Sequence, residues 1–458
     1  MVIRWKSDVE KSVVTANFER RGWEQCDVYD DDWDIFWASV GSAKQVFGSD
    51  SGTRLLPGQL INHFPNHYEL TRKDLMVKNL KRFQKLARRE GGAQAAEDLD
   101  IIPATFVLPQ DYALFVEEFK RQPDTTWIMK PSSKSQGKGI FLCRKLQQVK
   151  KWSANCMPPA LRNSQDSYVV SRYLDRPLLI SGKKFDLRLY VCVTSYKPLT
   201  AYLSNLGFAR FCSEKYTTDQ MELDNPYIHL TNVAIQKHGD EYNDKHGNKW
   251  GLDCLRLYLE STRGLEATDQ LFKDMDACVV KSLRAVQGIM VNDKHCFELY
   301  GYDLLIDDAL KPWLIEVNAS PSLSTTNMAD RLLKFKVISD VLSLVTPLDW
   351  CMPGGSDTEA GAALAARELK AGLDLMASSG PRERVGSFRL IFNEQAEQDA
   401  AKLRRSMSDT HGHAPLAWYA GGTGARRSAS AQRSGVGDPG QHLSATIARP
   451  RSALPSYH

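Results

Sequence analysis

The stretch Phe297–Pro321, FELYGYDLLIDDALKPWLIEVNASP, concentrates residue types that hold a hard cation. Two β-like runs flank a polar turn at Asp307 and Asp308, which reads as a hairpin. The first run carries Asp303 among apolar neighbours, and the second ends in Glu316 and Asn318. Side chains two apart on a strand share a face, so Glu316 and Asn318 project together, and Asp303 joins them if the strands pair. Two carboxylates and an amide oxygen are hard oxygen ligands of the kind that bind Mg²⁺ beside nucleotide phosphates. Trp313, Leu314, Ile315 and Val317 mark the second run as a buried strand, where a carboxylate needs a partner or a metal.

A second group of residues has the chemistry of a phosphate site. In WIMKPSSKSQGKGIFL, residues 127–142, a β-like run ends at Lys130, a Ser/Lys/Gly loop follows, and a second run resumes at Ile140. This is strand–loop–strand, and the GxxxxGK[ST] spacing of a P-loop is absent. Gly137 and Gly139 allow backbone N–H groups close to phosphates, and Lys130 adds a positive charge. In KKFDLRLYVCV, residues 183–193, Lys184, Asp186, Arg188 and Tyr190 fall on one strand face and Phe185, Leu187, Leu189 and Val191 on the other. Three charged groups facing inward over a sheet must bind one another or a charged ligand. Upstream, YVVSRYLDRPLLI reads as a buried strand whose backbone near Tyr173 and Leu174 could meet an adenine edge. GFARF sets Arg210 between aromatics. HLTNVAIQK, a strand-like run, offers Thr231 and Asn232 for phosphate or ribose, with His229 as a structural histidine. GNKW puts Lys249 in a turn.

These residues need a sizeable scaffold. The chain has 458 residues, 42% hydrophobic and 25% charged, ordinary for a globular protein with room for two or three domains. No apolar run approaches the ~20 residues of a spanning helix, and the opening MVIRWKSDVEKS lacks an apolar signal core; membrane insertion is not expected. Nine cysteines without a CxxC pair point to reduced thiols in the cytoplasm, with Cys296 a packing residue. From Pro381 onward 11 Lys+Arg face 6 Asp+Glu, and the rest is near neutral at 48 against 49. Attraction for an acidic partner must therefore come from local patches, and nothing points to nucleic acid.

Along the chain, residues 1–66 form a small aromatic-rich α+β domain with Trp33, Phe36 and Trp37 as its expected core. Thr71 and Asp74 resemble a capping box, and Met76, Leu80, Phe83 and Ala87 recur at helical spacing. Eight Lys and Arg residues between Arg72 and Arg89 give that helix a basic face suited to an acidic partner; Gly91–Glu97 reads as a loop. Residues 67–181 and 182–350 alternate short apolar runs with helical patterns and carry the polar motifs. Residues 351–458 read as a low-complexity, mostly disordered tail, poor in large apolar residues over its last sixty or so positions.

Five blocks, NHFPNHYELTRKDLMVKNLKRF, WIMKPSSKSQGKGIFL, KKFDLRLYV, HLTNVAIQK and YGYDLLIDDALKPWLIEVNASPSL, resemble the tubulin–tyrosine ligase-like (TTLL) enzymes, and more narrowly their polyglutamylase branch. They stand in the family's order and span the chain to about Leu348. The resemblance implies an α+β ATP-grasp fold, with ATP held between two lobes. It implies that Lys130, Gln136 and Gly137 contact the phosphates and that Ser171, Arg172, Tyr173 and Leu174 form the adenine hinge. Lys184, Phe185, Asp186, Thr231 and Asn232 complete the nucleotide pocket, and Asp303, Glu316 and Asn318 hold Mg²⁺. It matches Arg210 and Lys249, with Gln136, to binding of the free amino acid, Arg188 to a catalytic arginine, and Lys73 to a basic residue near the γ-phosphate. The implied reaction adds free L-glutamate to γ-carboxylates in acidic tubulin C-terminal tails through an acyl phosphate. The implied setting is the cytoskeleton, including cilium or flagellum axonemes and basal bodies. The weakly basic tail departs from the cationic microtubule-binding extension of several long members, so docking on microtubules is expected to involve partner subunits. A glycine or tyrosine ligase of the same fold and a catalytically silent microtubule scaffold are the alternatives. A kinase fits poorly, because the HRD-type loop and DFG triplet are absent.

Overall fold

The computed structural model describes residues 2–27, 29–48, 54–132, 134, 136–149, 167–240, 242, 248–347, 350 and 380–409. Its strands form three sheets with helices packed between and around them, a mixed α+β architecture.

The first sheet is parallel, in the order β2-β1-β3-β4, from β1 (Arg4–Ser7), β2 (Glu24–Gln25), β3 (Ile35–Trp37) and β4 (Leu60–Ile61). Alternation along β3 splits the expected aromatic core. Ile35 and Trp37 join Val14 and Phe18 of the helix Ser12–Arg20, whereas Phe36 and Trp33 join Phe64 in the larger core on the other face. Residues 1–66 also bond directly to the strand β14, described below with the third sheet, and to the residues just before it. Ile61 N–H donates to His295 O (2.8 Å), Phe297 N–H donates to Ile61 O (3.1 Å), and buried Glu298 accepts from Phe64 N–H at 2.8 Å and pairs with His63 Nδ1 at 2.7 Å.

The helix Lys73–Glu97 runs through the expected loop, with a break at Gly92, whose φ of 81° lies in the left-handed region. The expected capping box does not form. Arg72 is the N-cap without a side-chain cap, Thr71 Oγ1 donates to His67 O (3.2 Å), and Asp74 accepts from the Arg72 guanidinium (2.8 Å). The short aspartate is already occupied and cannot reach back.

The second sheet is antiparallel, in the order β5-β8-β6-β7, from β5 (Thr105–Leu108), β6 (Trp127–Pro131), β7 (Phe141–Cys143) and β8 (Tyr168–Arg172). One face packs Trp127, Met129 and Val170 against Phe115 of the helix Tyr112–Arg121. The period-2 alternation turns Ile128 and Lys130 the other way.

The third sheet is centred on the 14-residue strand β10 (Lys183–Tyr196). Strand β9 (Leu179–Ile180) pairs with its start, and β11 (Leu199–Ser204), β12 (Phe208–Phe211) and β14 (Glu298–Ile306) pair antiparallel with it. β13 (Lys249–Gly251) extends β12, and β15 (Pro312–Asn318) extends β14. Phe185, Leu187, Leu189 and Val191 bury one face against Leu271, Met275, Val279 and Leu283 of the helix Leu265–Gln287, each worth about 1.5–3 kcal/mol when removed from water. The opposite face carries Lys184, Asp186 and Arg188, as alternation requires.

The expected tail is wrong over part of its length. β16 (Arg384–Val385) and β17 (Phe388–Asn393) complete the sheet order β13-β12-β10-β11-β17-β16, and a helix Glu394–Asp409 follows. Phe388 and Phe392 are buried, in different cores, on a strand with a register shift between them; FRLIF is a short apolar run that average composition hides. The remainder of the expected tail, 351–379 and 410–458, lies outside the described residues. Among the described residues no helix is long and apolar enough to cross a membrane, and seven cysteines are free thiols, Cys296 buried in the large core as expected.

Candidate active site

A cleft lies between the inward face of the second sheet and the charged face of the third. Lys130 enters it from β6, Ser171 and Arg172 from β8, and Tyr173 and Leu174 from the following turn. Lys184 and Asp186 come from β10, Asp303 from β14, Glu316 from β15, and Lys73 from the first turn of its helix. Thr231 and Asn232 also line it, between two short helices, Pro226–His229 and Val233–Gln236, where a strand was expected. The sequence reading missed the apolar walls, Ile128, Ile140 and Val169 on one side and Leu305 and Leu314 on the other. Facing aliphatic walls suit a planar ring. The Tyr173 N–H already donates to Thr126 O at 2.9 Å, whereas the Leu174 N–H has no acceptor among the described residues.

Phe185 does not line the cleft. It sits between Lys184 and Asp186 on a strand, so it points into the opposite core and packs on Phe211, ring centroids 5.3 Å apart. Gln136 and Gly137 stand at the loop tip with φ of 64° and 78°. A Cβ at Gly137 would lie 2.6 Å from Ile235 Cδ1 and 3.0 Å from Asn232 Oδ1, so only glycine lets the tip close on Asn232.

Lys130 is the most telling side chain. Among the described residues its ammonium has no hydrogen-bond or ion-pair partner. Burial lowers its pKa to about 8, with Glu316 opposing and Lys73 and Lys184 reinforcing. A half-buried cation left in this state calls for an anion. Lys184, also lowered to about 8 by burial, donates to Tyr173 Oη (3.0 Å) and His229 O (2.9 Å). Burial, followed by Lys184, pushes the His229 pKa down to about 4. The neutral ring donates through Nε2–H to Glu222 O (3.0 Å) and leaves Nδ1 to accept from the Tyr173 hydroxyl at 2.9 Å. His229 is structural, as expected.

Four buried charges form a row beside the cleft. Arg188 grips Asp303 with two bonds (2.6 and 3.1 Å), and Arg210 grips Asp186 with two (2.8 and 2.6 Å) while reaching Asp303 at 2.9 Å. Each partner stands directly opposite on a neighbouring strand. Burial works against the Asp303 carboxylate, but the two guanidinium groups outweigh it and hold its pKa below the usual range. These bidentate pairs are the strong form of a buried ion pair.

Asp303 faces Glu316 across β14–β15, and Gly301 faces Asn318. A bulge at Ile315 shifts the register. It lets Leu314 and Val317, three apart, both enter the large core and turns Glu316 toward the cleft, whose lining does not include Asn318. Glu316 pairs with Lys73 at 2.9 Å. Asn318 Nδ2 donates to Gly301 O (3.3 Å) and Glu316 Oε1 (3.4 Å), leaving its amide oxygen uncommitted among the described residues. Among the described residues no group of three His, Cys, Asp or Glu is placed to hold a metal ion. Lys249 lies in β13 rather than a turn, opposite Arg210, and pairs with Asp330 at 3.2 Å. Asp330 and Lys334, on the helix Met328–Val345, were not singled out from sequence. Their i,i+4 spacing after the N-cap Asn327 was the available signal.

Residues 52–352 match the model of the tubulin-tyrosine ligase family. The chain belongs to the tubulin-tyrosine ligase family. It is 49% identical over 406 residues to a Tetrahymena thermophila protein named probable alpha-tubulin polyglutamylase Ttll1, covering 86% of this chain and 94% of that protein. It is 42% identical over 439 residues to the Bos taurus probable tubulin polyglutamylase TTLL9, covering 89% of each. It is 34% identical to the Mus musculus tubulin polyglutamylase TTLL5 over 75% of this chain and 25% of that longer protein. The tubulin-tyrosine ligase family match takes in strands of all three sheets and ends before β16 and β17.

Proposed function

We propose that the chain is an ATP-dependent ligase that adds free glutamate to γ-carboxylates of glutamates in tubulin C-terminal tails. The observation that carries the reading is Lys130, a half-buried cation without a partner among the described residues, in a cleft that Asp303 and Glu316 also line. The names of the relatives supply the substrate.

In this reading the fold is an ATP-grasp arrangement. Residues 67–181 and 182–350 form the two lobes around ATP, behind an N-terminal domain at 1–66. The adenine lies between Ile128 and Ile140 and Leu305 and Leu314, with the Leu174 N–H at its edge. Lys130, Lys184 and the Gln136–Gly137 tip hold the phosphates. The Asp303, Glu316 and Asn318 oxygens fit Mg²⁺ because the two carboxylates oppose each other in register and the amide oxygen is free. When bound, Mg²⁺ neutralises charge on the β- and γ-phosphates. The γ-phosphoryl group passes to the acceptor carboxylate with release of ADP. The α-amine of free glutamate attacks the acyl carbon, the C–O bond to phosphate breaks, and the amine loses a proton. Arg188 stabilises the oxyanion of that adduct, a role worth about 2.7–4 kcal/mol for a well-placed donor. Lys73 neutralises the γ-phosphate end, and Arg210 and Lys249 hold the carboxylates of the incoming glutamate.

The exposed row Lys78, Lys81, Arg82, Lys85, Arg88 and Arg89 suits an acidic tubulin tail, with binding that weakens as salt rises. The reading implies a cytoplasmic, cytoskeletal protein working on microtubules at axonemes or basal bodies, with accessory subunits.

Mass spectra of tubulin tails after incubation with the full chain, ATP, Mg²⁺ and glutamate, glycine or tyrosine test the proposal. Addition of glutamate is expected. Glycine or tyrosine alone, phosphate without an amino acid, or unchanged tails would each overturn it.

A further inference from the structure

The charged row does not end at Arg210. Lys249, opposite Arg210 on β13, is 3.2 Å from Asp330 Oδ1, and Lys334 Nζ is 2.9 Å from Asp330 Oδ2 and donates to Ser324 O. Asp330 is anchored by its own backbone N–H on Asn327 Oδ1 (2.9 Å) and by Thr326 N–H on Oδ2 (3.1 Å). Asp330 and Lys334 are both buried. The fields of Arg188 and Arg210 reach Lys249, and that of Arg188 reaches Lys334, so these groups form one electrostatic unit with Asp186 and Asp303. Arg188, Arg210, Lys249 and Lys334 carry four positive charges, and Asp186, Asp303 and Asp330 carry three negative ones. The Lys249 end of the row, remote from Glu316, thus sets Arg210, Lys249 and Lys334 around Asp330 and Asp186.

Tyr190 supplies a second, independent sign of a ligand. It lies two residues beyond Arg188 on the same face of β10, is fully buried, and its hydroxyl has no hydrogen-bond partner among the described residues. Arg188, Arg210, Asp303 and Asp330 all act on that hydroxyl. A buried hydroxyl left unpaired is costly in a native fold, and here it is left unpaired among the described residues beside the cations Arg188 and Arg210.

We infer that Tyr190 and the Lys249–Asp330–Lys334 triad complete the seat of the incoming amino acid and select one with an anionic side chain. This rests on the ligase reading and deepens it. Free glutamate brings a second carboxylate for these cations to pair with, whereas glycine and tyrosine bring one. Asp330 faces the ammonium end, the lysines and Arg210 face the carboxylates, and Tyr190 donates to one of them. Tyr190 binds directly; Asp330 also positions both lysines.

The test uses the full chain, tubulin, ATP and Mg²⁺, with initial rates over a range of glutamate and of glycine. Tyr190→Phe removes only an unpartnered hydroxyl, so the fold and the KM for ATP stay unchanged while the KM for glutamate rises about tenfold or more. Lys334→Gln raises the glutamate KM further and narrows the preference over glycine, and Lys334→Arg restores both. Unchanged glutamate KM in Tyr190→Phe, or equal shifts in the ATP and glutamate KM, would overturn the inference while wild-type glutamylation leaves the ligase reading standing. Wild-type protein that transfers no amino acid would overturn both.

Discussion

Lys130→Met separates what this lysine does for the ligand-free fold from what it does for nucleotide. Burial lowers the ammonium pKa from 10.5 to about 8. At ~1.4 kcal/mol per unit, keeping the charge in the folded chain costs about 3 kcal/mol at neutral pH, an upper figure because the side chain keeps some exposure. The folded pKa lies below the unfolded one, so between pH 8 and 10.5 the unfolded chain binds more protons and stability rises with pH. Below pH 8 both states are protonated and the full cost remains. Methionine keeps much of the stem and removes the charge. The variant should melt about 5 °C higher at pH 7, taking ~2 °C per kcal/mol for a chain of this size, and its gain between pH 8 and 10.5 should shrink by the part contributed by Lys130. Wild-type protein should be stabilised by ATP with Mg²⁺, and the variant should lose most of that shift along with glutamylation. Thermal melts with and without nucleotide, across pH, measure all of this. A variant that melts at or below wild type and keeps the nucleotide shift would refute the reasoning.

Other outcomes come from the same geometry. Arg188→Lys keeps a charge but loses the bidentate grip on Asp303, and should cut kcat by about 10²–10³-fold with a smaller change in ATP binding, read by single-turnover assays. Phe388→Ala opens a cavity under the β11–β17 pairing and should cost about 3–5 kcal/mol in chemical denaturation; a neutral result would detach the C-terminal strand from the fold. The His229 pKa near 4 lies below its usual 6.5, so the unfolded chain binds more protons between pH 4 and 6.5 and stability should fall as pH drops through that window. His229→Asn should flatten that part of a pH–stability curve.

The central strands were legible because their patterns are local. KKFDLRLYV alternates charge and aliphatic residues, and β10 forms as that alternation requires, with Lys184, Asp186 and Arg188 on one face. The β14–β15 hairpin was legible for the same reason, including the nearness of Asp303 to Glu316. Its bulge was not, because nothing in LIEV says which residue is extra. Only the need to bury both Leu314 and Val317 decides that. Phe185 follows from parity alone once the strand is drawn. HLTNVAIQK was misread because four-residue helices have no period to detect. Asp330 and Lys334 reach Lys249 across some eighty residues of chain, a separation that no spacing rule spans. The strand Phe388–Asn393 was lost in an average taken over more than a hundred low-complexity positions.

The pairing of Lys73 with Glu316 at 2.9 Å has a consequence for how catalysis begins. Lys73 opens a long helix, and Glu316 stands at the end of a hairpin, so their contact is a latch between elements far apart in sequence. On the ligase reading, a divalent cation arriving alone would have to prise a carboxylate from an ammonium. Arriving with a triphosphate, it would offer that ammonium a new anion at the same moment, so both halves of the latch would be re-partnered together. The resting site would then answer to the nucleotide complex more than to free magnesium.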